Sequence, residues 1–136
     1  MAPIAFTDGY ITVAGTNLSA RCTKLEVSDG YNKIDLKAFS NTAGNTGVGL
    51  KAQSIKATFL QDFAAGSTHA TLQAALGTGV GIEVRPTSAV ASATNPKWTG
   101  TLLLAEYNPI GAQVGEKYEV SVEFLTQGTA IVYATS

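Results

Sequence analysis

The chain has 136 residues, a length that fits one domain with an ordinary hydrophobic core that needs no metal or disulfide. Charged residues make up only 14% and the net charge is −1, without any run of like charge. This argues against nucleic-acid binding through clustered Lys and Arg and against a basic membrane-surface helix. Gly, Ala, Ser and Thr replace the missing charges, a composition that suits both a protein covered by neighbours and a neutral monomer.

Targeting signals are not evident in the sequence. Residues 1–6 lack a basic segment followed by a long apolar run, so we expect no secretory signal. No stretch approaches the roughly 18 apolar residues of a membrane helix. We therefore expect the protein to be made and folded in a cytoplasm and to have no membrane partner.

Alternation of apolar and polar residues at a period of two predicts strands in the first part of the chain. Residues 22–27 form the first such segment, and Asp29-Gly30 predicts a turn that pairs it with a strand over 32–39. Residues 40–49 contain one large apolar residue, Val48, and predict a long mobile loop.

The remaining elements continue this pattern. Alternation resumes over 53–62, and a helix of about ten residues is predicted next, capped by Ser67 or Thr68 and ended by Gly77. Further strands are predicted at 80–85, 98–107, 118–124 and 130–133. About seven strands and one short flanking helix favour a mainly-β (α+β) fold, a two-sheet sandwich or barrel, with residues 1–136 forming a single domain.

Residues 118–124 show the cleanest alternation and predict the two faces of a strand. The apolar face should be buried against side chains of the neighbouring strand and the helix. The predicted core residues are Tyr118, Val120, Val122 and Phe124, with Ile55, Phe59, Leu72 and Leu76 opposite them. The other face carries Glu119, Ser121 and Glu123.

Residue types that carry catalysis are sparse. The single histidine, His69, lies on the predicted helix, where a structural role is the more common one, and the single cysteine, Cys22, is predicted to be a buried small hydrophobic residue. One Cys and one His far apart cannot form a zinc site. Residues 44–49 are rich in glycine but lack the lysine placement of a phosphate-binding loop. The sequence therefore predicts no enzyme, no cofactor and no metal.

The order of several segments resembles the tail tube proteins of long-tailed bacteriophages, especially those of actinobacterial hosts. The resemblance covers about residues 10 to 133. Its motifs are structural, and related head-completion and decoration proteins share short β-rich domains. The segments that carry it are Gly15–Ser19, Ala57–Phe63, Ile82–Ser88, Ser92–Gly100 and Tyr118–Phe124.

The resemblance implies two packed β-sheets flanked by a helix, six copies in a ring, and rings stacked around a bore that passes DNA without binding it specifically. A long loop between early strands reaches the adjacent ring, and only the segment at about 40–50 fits this role here. Its candidate residues are Asn41, Gly44, Asn45, Gly47 and Gly49. The implied partners are further copies of the chain, a tape measure protein, and tail terminator and tip proteins. The implied location is the virion, with assembly in the host cytoplasm.

Two further questions stay open at the level of sequence. Glu119, Ser121 and Glu123 line the bore if their strand lies in the inner sheet; otherwise this face meets solvent, or packs between subunits with its acids paired to Lys56 or Lys117. The alternative functions are a head–tail connector or head decoration protein, or a monomeric β-sandwich that binds a ligand such as a glycan.

Overall fold

The computed structural model describes residues 8–111, 114–115 and 117–136, so residues 1–6, on which the expectation about export rests, lie outside the described part. The described residues form eight strands, one α-helix and a short 3-10 turn at Ser19–Arg21. The mainly-β prediction with one short helix is confirmed. The elements are β1 (Tyr10–Val13), β2 (Thr16–Asn17), β3 (Cys22–Asp35), β4 (Thr46–Leu60), α1 (Thr68–Ala75), β5 (Gly79–Arg85), β6 (Lys97–Leu104), β7 (Glu119–Thr126) and β8 (Val132–Ala134).

All eight strands belong to one antiparallel sheet. The order is β2-β1-β5-β6-β7-β4-β3, and β8 pairs with the first residues of β6, which β7 leaves unpaired. The sheet is open in the described residues, because β2 and β3 end the order and do not pair with each other. A helix of eight residues cannot cover so wide a sheet, yet the inward side chains of both β1 and β4 are fully buried. The sheet therefore folds over itself around the core.

Side chains along β7 alternate between a buried apolar face and a polar face, as the sequence predicts. Val120, Val122 and Phe124 are buried and belong to one hydrophobic cluster with Ile55, Phe59 and Leu72. Tyr118 and Leu76, also predicted for the core, lie at its margin and are partly buried. The predicted core face of β7 is confirmed.

The first hairpin differs from the prediction. Asp29-Gly30 is not a turn but lies in the middle of β3, opposite Gln53 and Ala52 of β4. Twelve residue pairs join β3 to β4 and outweigh the local turn preference of two residues. The connecting loop is 36–45, and residues 46–50, predicted as loop, are part of β4.

The helix is held by tertiary contacts more than by its own cap. Ser67 is at the N-cap position but makes no side-chain capping bond, contrary to the prediction; its hydroxyl donates to Asp62 and accepts from Arg21 instead. The Thr68 hydroxyl donates to the carbonyl of Leu60. Gly77 has a φ of 79° and terminates the helical segment as predicted. Within the described ranges, no helix is long and apolar enough to cross a membrane.

Candidate assembly surfaces

The hairpin of β3 and β4 extends well beyond the sheet. β4 pairs with β7 only from Ser54 onward, so residues 46–53 have β3 as their one strand neighbour among the described residues. Eight residues of strand span about 25 Å at roughly 3.3 Å each. Residues 31–46 are all exposed. We call residues 30–52 the arm.

The arm exposes large apolar side chains, and contact with another chain that removes them from water would be favourable. Six of them are 43% exposed or more, and Phe39 in the loop is fully exposed. A concentration of such side chains on one projecting element is typical of an interaction surface. The six are Tyr31, Ile34, Leu36, Phe39, Val48 and Leu50.

The five residues predicted for an inter-ring loop divide between the loop and the strand that follows it. Asn41, Gly44 and Asn45 lie in the loop, where the Asn41 side chain accepts from the Ala38 amide (2.6 Å) and the Asn45 carbonyl accepts from the Leu36 amide (2.8 Å).

Gly47 and Gly49, the other two of the five, lie in β4. A Cβ at Gly47 would lie 2.6 Å from Cδ1 of Leu36, and one at Gly49 would lie 3.2 Å from Cδ1 of Ile34. The two glycines therefore make room for the apolar side chains of Ile34 in β3 and of Leu36 just after it.

The two edges of the sheet are unequal. At one edge, the Ile11 amide donates to the hydroxyl of Ser19 (3.0 Å) and its carbonyl accepts from the Leu18 amide (3.2 Å). β2, which ends this edge, has only two residues. At the other edge, β3 has fourteen residues, and none of the described strands pairs with its outer side. A long bare edge is a template for a strand of another chain, whereas a short, capped edge is not.

The polar face of β7 is paired with charges of the same domain. Lys56 lies opposite Glu123, with Nζ 3.7 Å from the carboxylate, and Lys117 Nζ lies 3.8 Å from Glu119. Glu119 also accepts from the Thr23 hydroxyl (2.7 Å), and the Ser121 and Thr58 hydroxyls are 3.0 Å apart. The pairing to Lys56 and Lys117 that the sequence left open is thus present, and it is compatible with either a bore or an interface.

This face forms one wall of a shallow cavity of about 450 Å³ whose other side is the segment after β6. Its charged lining has two lysines and three glutamates, a net charge of −1. The acidic groups outnumber the basic ones, and Lys56 is paired with Glu123, so the surface is weakly acidic, a property that disfavours phosphate binding. The charged residues are Lys24, Lys56, Glu26, Glu106 and Glu123.

An aromatic cluster occupies the end of the domain opposite the arm. Phe63, which follows β4, lies 4.8 Å from the His69 ring and 6.0 Å from the Tyr118 ring. His69 Nδ1 is 3.0 Å from the Tyr107 hydroxyl, and that hydroxyl accepts from Gln61 (3.0 Å). Phe63 is 55% exposed and nearby Ile110 is 79% exposed, so this end also has uncovered apolar surface.

Groups that carry catalysis in other proteins make structural contacts here. The Ser67 hydroxyl donates to Asp62 (2.9 Å) rather than to His69, and Arg21 bridges to the same carboxylate (2.6 Å). The Ala64 amide, the Ser67 hydroxyl and Arg21 lower the pKa of Asp62. Burial raises the pKa of the Cys22 thiol, which keeps it protonated at neutral pH. In the part of the chain that the structure covers, no three His, Cys, Asp or Glu residues are grouped to hold a metal ion.

These features define a mainly-β domain with one bare edge, a projecting arm and a polar outer face. No protein-family model and no curated protein sequence matches the chain. A solved structure does: a chain in the virion of a native gene transfer agent particle aligns with a TM-score of 0.74 over 97% of this chain and 99% of that one. The sequence identity is 11%, so the likeness establishes a shared fold across nearly the whole length.

Proposed function

We propose that the chain is a structural virion protein, the subunit of a phage-type tail tube in which rings of six copies stack into a conduit for the genome. The observation that carries the proposal is β3, which forms both the bare edge of the sheet and one side of the arm. The fold shared with a chain of a gene transfer agent virion supports it, as does the sequence resemblance to tail tube proteins.

Ring formation follows from the unequal edges. β3 could pair with a strand of the next copy, and a head-to-tail contact of this kind closes into a ring when the rotation allows it. Closure across copies would cover the β3 edge of every copy, which removes the aggregation hazard of a long exposed edge. A low-charge surface is tolerable in such a protein because its neighbours cover it.

Stacking follows from the two ends of β4. The arm projects from the end that begins at Thr46, and the Phe63 cluster lies beyond Leu60 at the other end. In a head-to-tail stack, the arm of one copy points toward the opposite end of a copy in the next ring. Both ends carry exposed apolar side chains that such a contact would cover.

In this proposal the partners are other copies of the chain, a tape measure protein, and terminator and tip proteins. The location is the virion, after assembly in the host cytoplasm. DNA passes through the bore without specific binding, which suits a face on which Lys56 and Lys117 each lie beside a carboxylate.

The purified protein is expected to form rings or tubes as its concentration rises. The measurement is sedimentation velocity over a wide concentration range, with negative-stain electron microscopy of the heavy fractions. Tubes support the full proposal, whereas rings that never stack indicate a connector or decoration protein. A chain that stays monomeric at all concentrations, with tail-initiating components present and without appearing in virions, contradicts the assembly role.

A double charge reversal at Glu119 and Glu123 tests whether their face lines the bore. Replacing both by Lys would place unopposed lysines beside Lys56 and Lys117. If the face lines the bore, particles should assemble but eject DNA slowly, and the defect should ease as salt rises because screening acts over about 10 Å at 0.1 M.

The matched control is the swapped pair Lys56→Glu with Glu123→Lys, which keeps both the net charge and the ion pair. It should eject DNA at the reference rate. Normal ejection from particles carrying the double reversal would rule out the bore assignment, and failure of only that variant to assemble would assign the face to an interface.

A further inference from the structure

A buried glutamine stands at the point where the arm leaves the sheet. Gln53 is polar, yet it is only 6% exposed and lies in the inward row of β4 with Ile55, Ala57 and Phe59. The next residue, Ser54, is the first of β4 that pairs with β7. An amide in an apolar row has a desolvation cost that only hydrogen bonds offset, so a specific set of partners is expected.

The partners of Gln53 join three segments. Its Oε1 accepts from the amide of Ile131 (2.9 Å), and its Nε2 donates to the carboxylate of Asp29 (2.7 Å) and, more weakly, to the carbonyl of Ile131 (3.4 Å). Asp29 is the residue opposite Gln53 on β3. One side chain thus links both strands of the arm to the C-terminal segment.

The C-terminal segment is itself fixed to the middle of the sheet. Ile131 is 2% exposed and packs against Gly100 of β6. A Cβ added at Gly100 would lie only 3.4 Å from the Cα of Ile131. β8 follows at once and pairs with β6 at Lys97–Thr99. The contact of Gln53 therefore connects the base of the arm to β6, across a gap that no backbone pairing bridges in the described residues.

We propose that Gln53 is a positioning residue that sets the direction of the arm relative to the sheet, and that β8 with Ile131 is the fixed point it holds. Beyond Gln53 the arm is a two-stranded ribbon of exposed residues, and a ribbon of this kind has little rigidity of its own. Its significance for ring stacking rests on the proposed function, but the direction of the arm is a property of the monomer.

The test measures the arm in the monomer. Spin labels are placed at Lys33→Cys on the arm and Gln73→Cys on α1, both exposed positions, in a Cys22→Ala background at a concentration where the protein is monomeric. Gln53→Met removes the amide at nearly constant volume. The distribution of distances between the labels should broaden, and exchange of the Ile131 amide proton should become about five- to thirtyfold faster, as expected when a hydrogen bond of roughly 1–2 kcal/mol is lost.

The matched control is Gln61→Met. Gln61 also donates two side-chain hydrogen bonds, to Tyr107 and to the carbonyl of Pro109, but at the other end of β4. It should leave the distance distribution unchanged. An unchanged distribution in Gln53→Met would overturn the proposal, even if Ile131 exchanges faster.

If Gln53→Met does not fold, Asp29→Ala removes one partner from an exposed position and should broaden the distribution to a smaller extent. An unchanged distribution in that variant would overturn the proposal equally. Tube formation is scored separately. If the distance distribution broadens in Gln53→Met but the protein never forms tubes, this inference stands and only the proposed function is contradicted.

Discussion

An aspartate in place of Val122 is expected to unfold the domain. Val122 is 5% exposed, lies opposite Ala57 of β4 and belongs to the central hydrophobic cluster. A carboxylate without a partner in this position costs several kcal/mol, comparable with the roughly 5–15 kcal/mol that stabilises a typical domain. Urea unfolding followed by circular dichroism should show a strongly lowered midpoint or no cooperative transition.

The control comes from the same strand. Leu125 faces outward and is 39% exposed, so Leu125→Asp introduces the same group where water can solvate it. Its midpoint should stay close to that of the reference protein, as surface substitutions usually change stability by about 0.5 kcal/mol or less. A Val122→Asp protein that unfolds at the reference midpoint would mean that the inward face of β7 is assigned wrongly.

Shortening the arm is expected to abolish tube growth while leaving the fold intact. Leu36 and Asn45 are joined by a backbone hydrogen bond (2.8 Å), and Asp35 lies opposite Thr46. Residues 37–44 can therefore be replaced by Asn-Gly, which closes a two-residue hairpin turn with matching twist. The variant loses Phe39 and the loop but none of the core, so it should melt within a few degrees of the reference protein.

Electron microscopy should then show no elongated tubes at concentrations where the reference protein forms them. Phe39→Ser is the smaller version of the change, and Val90→Ser is its control, because Val90 is an 84% exposed apolar residue in another loop. Phe39→Ser should slow tube growth and Val90→Ser should not. Normal tubes from the shortened arm would show that the loop has no role in stacking.

The sequence by itself determined the fold class and the inward face of β7. A strand with one buried face must alternate, so Val120, Val122 and Phe124 identify the core wherever their neighbours lie. Gly77 could be predicted as the end of the helix for a similarly local reason, since a positive φ favours glycine over other residues. The resemblance to tail tube proteins likewise depended on the order of segments along the chain.

Only the tertiary structure decided how the strands pair. Asp29-Gly30 has the local chemistry of a turn, yet pairing along the whole of β4 holds it extended. The hydrogen bonds that allow Gln53 to be buried in the inward row of β4 depend on Ile131, 78 positions away. Ser19, whose hydroxyl accepts from the Ile11 amide eight positions earlier, caps that edge of the sheet. Alternation and turn preference act over a few residues, whereas pairing, edge protection and buried hydrogen bonds depend on partners that are distant in the chain.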